Sequence, residues 1–187
     1  HVRRTPWFER RFQPIDDNGR LPGILERLDG TPARVVALLQ TRGAAGAAPP
    51  GWSAAQELGH LIDLEPLWLA RVHDIVDGRQ ELTVADLSNR ATHEGGHDRW
   101  PLDVLAGRFE AARKRLVAAL RALTPSDLDL AARHPRLGTP MRVVDLAYFV
   151  AEHDDHHLVR LRELLGGGYA LGVGESPGQG QGDGAQF

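Results

Sequence analysis

No cysteine occurs in the 187 residues. Its absence removes disulfides, thiolate nucleophiles and cysteine-type zinc sites together, so any metal must be held by histidine, aspartate or glutamate. Nor is positive charge in excess, the formal net charge being -3, and a chain without a basic surface is not expected to take nucleic acid as a partner. No apolar run approaches the roughly 20 residues that span a bilayer. The segment HVRRTPWFERRFQP also lacks the apolar core of a signal peptide. A cytoplasmic protein without a membrane partner is therefore expected. Strand-like alternation is missing as well. What is present is 42% hydrophobic residues, enough at this length for one domain with a sizeable core.

Those apolar residues recur at helical spacing, and proline and glycine divide them into blocks. After an arm that runs to about Arg20, Leu21, Ile24, Leu25, Leu28, Val35, Val36, Leu38 and Leu39 mark a first helix. Gly30, Thr31 and Pro32 interrupt it, which allows one kinked helix or two shorter ones. Residues 43–51 are loop-like by composition. Ser53 with Gln56 forms a capping-box pattern behind Trp52, and Leu58, Leu61, Leu64, Trp68, Val72 and Ile75 then predict a second helix over 53–77. The polar stretch from Gly78 to Trp100 is expected as a long loop. Pro101 opens a third helix that continues to Leu123, and Thr139-Pro140 opens a fourth that ends at the glycines from Gly166. The expectation is an all-α, up-and-down four-helix bundle with a long loop between its second and third helices. Residues 1–165 form that domain, and 166–187 a glycine-rich tail expected to be disordered.

The fourth helix carries AEHDDHHLVR, residues 151–160. At about 100° of turn per residue, His153 and His157 lie roughly 40° apart, inside the apolar stripe of Leu146, Val150, Leu161 and Leu164. His156 falls at the stripe's edge, while Glu152, Asp154 and Asp155 read mostly as flanks. Buried imidazoles need partners for both ring nitrogens, so the pair is either a hydrogen-bonded core pair or part of a metal site. His60, on the second helix beside Leu61, Leu64 and Trp68, is by itself a buried core histidine. Joined to the pair, it completes a triad of the catalytic type, with coordination positions left open. Glu57, Asp63 and Asp154 are candidate acceptors for ligand N–H groups. His73, His93, His97 and His134 read as surface or loop residues, with His93 and His97 able to approach a pocket from the long loop.

Two stretches, WSAAQELGHLIDLEPLWLAR at 52–71 and AEHDDHHLVRLREL at 151–164, resemble the DinB-like (DinB/YfiT-like) superfamily of four-helix bundle proteins. WFERRF and LERLDGTPARV also look like one branch of it, and the resemblance runs from about Trp7 to Leu165. It implies metal ligands at His60, His153 and His157, one divalent ion (zinc or nickel ahead of manganese or iron), and a homodimer. It also implies thiol-dependent chemistry: branches of the family include thiol-dependent transferases and a mycothiol-dependent maleylpyruvate isomerase. No polymerase carboxylate arrangement is present. The leading expectation is a small-molecule thiol-dependent S-transferase. A metal-dependent hydrolase and a non-catalytic metal-binding stress-response protein are the alternatives. Leu58, Ile62 and Leu69 on the second helix suit a partner subunit.

Overall fold

The computed structural model describes residues 5–41 and 51–166. The expected 43–51 loop and the 166–187 tail, Gly51 and Gly166 apart, lie outside the described residues. Four long helices make the bundle: α1 (Leu21–Gln40), α2 (Ala54–Val76), α4 (Leu102–Arg121) and α5 (Val143–Leu164), with a short α3 (Arg90–Glu94) in the connection between α2 and α4. None of them is long and apolar enough to cross a membrane.

The helices follow the residues that predict them. Gln56 donates its backbone N–H to Ser53 Oγ at 3.1 Å and accepts the Ser53 N–H at 3.0 Å, closing the capping box of α2. Of the two forms open to the first helix, the structure has one continuous α1 with Pro32 inside it. Proline has no N–H to offer the Leu28 carbonyl four residues back. That carbonyl is taken instead by Arg113 Nη1 at 3.2 Å.

Pairing between helices sets the topology. Glu57 meets His157 while Trp68 meets Phe149, so α2 and α5 are antiparallel. Arg27 meets Glu152 and Arg34 meets Asp155, so α1 and α5 are parallel. Ala55 lies near Leu102 and Glu65 bonds Arg113, so α2 and α4 are parallel too. Each of α1 and α2 packs against both α4 and α5, which places α1 and α2 on one diagonal of the bundle and α4 and α5 on the other. A four-helix bundle is present, but its connections correct the plain up-and-down order: α4 runs the same way as α2. The chain must therefore return along the bundle between them, which is why the 77–101 connection is long. Asn89 (φ 50°) and Gly96 (φ 62°) turn this return segment through left-handed conformations on either side of α3.

The fourth long helix also begins later than expected. Residues 140–142 are extended, and this strand, β2 (Pro140–Arg142), pairs antiparallel with β1 (Ala131–Arg133) in a small hairpin. Asp145 fixes the change, accepting the Arg142 N–H at 2.9 Å and the Ile15 N–H at 2.6 Å, so the helix is capped from inside at Val143.

Two apolar clusters fill the bundle. One gathers Leu28, Trp68, Val72, Ile75, Leu116, Leu120, Leu146 and Val150, and the other Val35, Leu58, Leu61, Leu105, Phe109, Leu158 and Leu161. Between the two clusters each long helix places a buried polar residue: Thr31, Glu65, Arg113 and Asp154. Arg113 donates to Glu65 Oε1 at 2.6 and 3.0 Å and to Asp154 Oδ1 at 2.9 Å, and Thr31 donates to Asp154 Oδ2 at 3.0 Å. Burial opposes the guanidinium's charge, but Asp154 and Glu65 outweigh it and hold it protonated far above the ordinary range. This layer corrects the placement of Asp154 as a flank or a support for the metal ligands. A wheel drawn for one apolar stripe does not register that α5 faces two neighbours. Leu58 is likewise fully buried in its own chain and unavailable to a partner, whereas Ile62 and Leu69 are half-buried.

Candidate metal centre

His60 lies two turns into α2, and His153 and His157 one turn apart on the facing side of α5. All three are buried, and one ring nitrogen from each lies within 4.8 Å of the others. The capping box sets where α2 starts and hence the height of His60. Trp52, just ahead of it, closes one side, its ring 4.8 Å from His60 and 6.4 Å from His157. From the arm, Trp7 covers His153 edge-on at 5.1 Å, joined by Trp68 at 5.5 Å.

Two of the rings have a partner that settles which nitrogen faces the cluster. His157 Nδ1 donates to Glu57 Oε2 at 2.6 Å, while the other Glu57 oxygen meets Arg160 at 3.3 Å. His60 Nδ1 donates to Thr92 Oγ1 at 3.1 Å, and the Thr92 hydroxyl donates in turn to Asp63 Oδ2 at 3.0 Å. The same Asp63 oxygen accepts from His97 Nε2 at 2.9 Å. His60 and His157 therefore turn proton-free Nε2 atoms inward, as metal ligands must.

His153 tests whether a cation fits. Its Nε2 lies 3.2 Å from His157 Nε2, and its Nδ1 has no hydrogen-bond partner among the described residues. With the proton on Nε2, the pair is satisfied but Nδ1 is stranded as a buried acceptor. With the proton on Nδ1, that N–H is equally without a partner and three lone pairs point at one another, a repulsion that a divalent cation among them relieves. The donor set, three neutral imidazoles without thiolate or carboxylate, suits zinc, nickel or iron more than magnesium or calcium.

Burial keeps the rings neutral. It pushes His60 down to about 2, helped by His157, and His157 down to about 3, helped by Arg160; His153 falls well below its ordinary value for the same reason. These folded values lie below the unfolded 6.5, so the unfolded chain binds more protons once the pH falls beneath about 6.5. Stability of the metal-free protein is accordingly complete above that pH and is lost as acid is added. Between pH 7 and 5.5 the loss is on the order of 1 kcal/mol per buried histidine, read as a lower urea midpoint at pH 5.5. An unchanged midpoint would mean that the rings are already charged in the fold.

The return segment supplies side chains that no local spacing marks as part of the site. Thr92 supports His60, and His97, expected at the surface, is buried against α2. A Cβ on Gly59 would stand 2.2 Å from the His97 ring, so the glycine beside His60 is what lets that imidazole in. Thr92 lies on α3, and His97 three residues past its end. His134, also expected in a surface turn, is buried beside Arg71. His156 lies at the edge, its ring 5.0 Å from His157 and 5.8 Å from Trp7. His93 and His73 are exposed, as expected.

A cavity of about 290 Å³ opens from His60 and His153. Trp7, Trp68, Leu64 and Phe149 make its walls, and Arg71, His134 and Arg136 also line it. Two of the three histidines, His60 and His153, thus stand at the edge of a space large enough for a small organic molecule.

Fold and site define a class of protein: a four-helix bundle with a buried three-histidine cluster beside an apolar cavity. The chain belongs to the DinB superfamily, whose family model matches residues 9–159. Among solved structures it is similar to YfiT from Bacillus subtilis, described as a probable metal-dependent hydrolase with an unusual four-helix bundle topology. The two share 17% identity with a TM-score of 0.67, over 82% of this chain and 91% of that one. At that identity the likeness concerns the fold. No curated protein matches the chain.

Proposed function

We propose that the protein is a metal-dependent enzyme that holds one divalent ion, zinc or nickel first, on His60, His153 and His157, and joins a low-molecular-weight thiol to a small electrophile. The observation that carries it is the convergence of three neutral, buried imidazoles beside a cavity. A divalent ion on three such ligands, with a fourth position open, lowers the pKa of the water or thiol that binds there and supplies a nucleophile at neutral pH.

The chain's own residues do the rest. Glu57 and the Thr92–Asp63 pair hold His157 and His60 in the tautomers that leave Nε2 without a proton. Trp7, Trp52 and Trp68 keep water from the rings. Among the described residues Glu57 is engaged with His157 and Arg160, and Asp63 with Thr92 and His97, so neither of these carboxylates is free to serve as general base. This favours a nucleophile that needs none, and a thiol, being far more acidic than water, meets that need more easily.

Hydrolysis is the second reading, supported by the description of the Bacillus relative and by the same shortage of a base where an ionised water serves instead. Monochlorobimane and a panel of cellular thiols separate the two. Tag-free, zinc-loaded protein is expected to accelerate thioether formation, the sulfur–carbon bond replacing the carbon–chlorine bond as chloride leaves, and His60→Ala to abolish that acceleration. Thiol-independent cleavage of ester or amide substrates by the same protein, with no thioether formed, overturns transfer in favour of hydrolysis.

A further inference from the structure

The far end of the cavity from the histidine cluster is built from cations that lack an anion. Arg71 is buried, yet among the described residues it makes no ion pair. Its Nε donates to the Thr83 carbonyl at 2.9 Å, and its Nη1 lies 3.2 Å from His134 Nε2. The acid nearest in charge, Asp74, is turned away to the Thr83 N–H and hydroxyl and to Arg79. Arg136 also makes no ion pair among the described residues. It lies over the Phe8 ring, and its Nη2 is buried without a hydrogen-bond partner. Asp86, the one carboxylate on the cavity wall, is held by the Ser88 N–H and hydroxyl and the Arg90 N–H.

His134 turns this collection into a directed site. Its Nδ1 accepts the backbone N–H groups of Arg136 at 3.2 Å and Leu137 at 3.3 Å, so that nitrogen carries no proton. Burial, then Arg71 and Arg136, lowers its pKa to about 4, and the ring is neutral at pH 7. A neutral ring with a bare Nδ1 has its proton on Nε2. That N–H faces the Arg71 Nη1–H at 3.2 Å, two donors with no acceptor between them. Leaving buried donors unmatched is unfavourable, and an oxygen anion that accepts from both removes the conflict.

We infer that Arg71, His134 and Arg136 form an anion subsite that binds the carboxylate of a small organic acid, whose flat apolar body lies between Trp68 and Phe149 and whose reacting end reaches the histidine cluster. The planar guanidinium fork matches a carboxylate, and the aromatic walls match an apolar or aromatic body. The role given to the reacting end rests on the metal-enzyme reading above; the anion subsite itself does not.

Benzoate and its neutral isostere benzamide test it by calorimetric titration, in metal-free and in zinc-loaded protein. Benzoate is expected to bind about 10-fold or more tightly than benzamide in both forms, as a charge-assisted contact provides. Arg71→Gln and the more exposed Arg136→Gln are each expected to reduce that preference while zinc binding stays unchanged. Equal affinities for the two compounds in the unmodified protein overturn the subsite, whatever the variants do. So does benzoate binding that requires zinc and survives both substitutions, since the carboxylate would then be sitting on the metal. A benzoate preference in protein that takes up no zinc supports the subsite and removes only the metal reading.

Discussion

His153→Ala is expected to reduce bound zinc or nickel from one ion per chain to none, with His60→Ala and His157→Ala doing the same. The ligands converge from two helices, so each loss leaves two imidazoles, and the fall in affinity exceeds the roughly 10–100-fold that removal of a supporting group costs. That smaller figure is the expectation for Glu57→Gln, which leaves every ligand in place but weakens the acceptor that orients His157. His156→Ala and His93→Ala are the controls and retain stoichiometric metal. Elemental analysis of tag-free protein, with thermal stabilisation by added zinc as a second measure, decides the matter. Full metal content in His153→Ala, or its loss in His156→Ala instead, sinks the assignment.

Arg113→Met is expected to destabilise the fold by about 3–5 kcal/mol, the usual consequence of stripping the partner from buried charges. The substitution leaves Glu65 and Asp154 without their shared cation and the Leu28 carbonyl without a donor. All of these are buried at the level where the bundle's two apolar clusters meet. Replacing all three residues together, as Glu65→Leu, Arg113→Met and Asp154→Leu, removes the charges with their partner and should restore much of the loss. Urea midpoints at pH 7 measure both. A single variant within about 1 kcal/mol of the unmodified protein would show that the layer is hydrated or dispensable.

This polar layer also shows where the sequence was legible and where it was not. Glu65 sits between Leu61 and Trp68, Arg113 between Phe109 and Leu116, and Asp154 between Val150 and Leu158, each in step with the apolar residues around it. The pattern was therefore visible helix by helix. That the three charges meet was not, because meeting depends on helix directions, and nothing in a local period states whether α4 runs with α2 or against it. The same limit applies to His97 and His134. Both stand in segments that are polar and rich in turns, and both are buried only because the return connection lies along α2 and the hairpin closes over Arg71.

By itself, then, the sequence determined the long helices, the capping box that sets the height of His60, and the inward turn of His153 and His157, since each follows from spacing along one helix. Its lack of cysteine also limited any metal to imidazole or carboxylate. Only the tertiary structure decided the parallel course of α2 and α4, the support that Thr92 and Asp63 give His60, and the three unmatched donors at the far end of the cavity. These are contacts between segments distant in the chain, and they exist only once the bundle has closed.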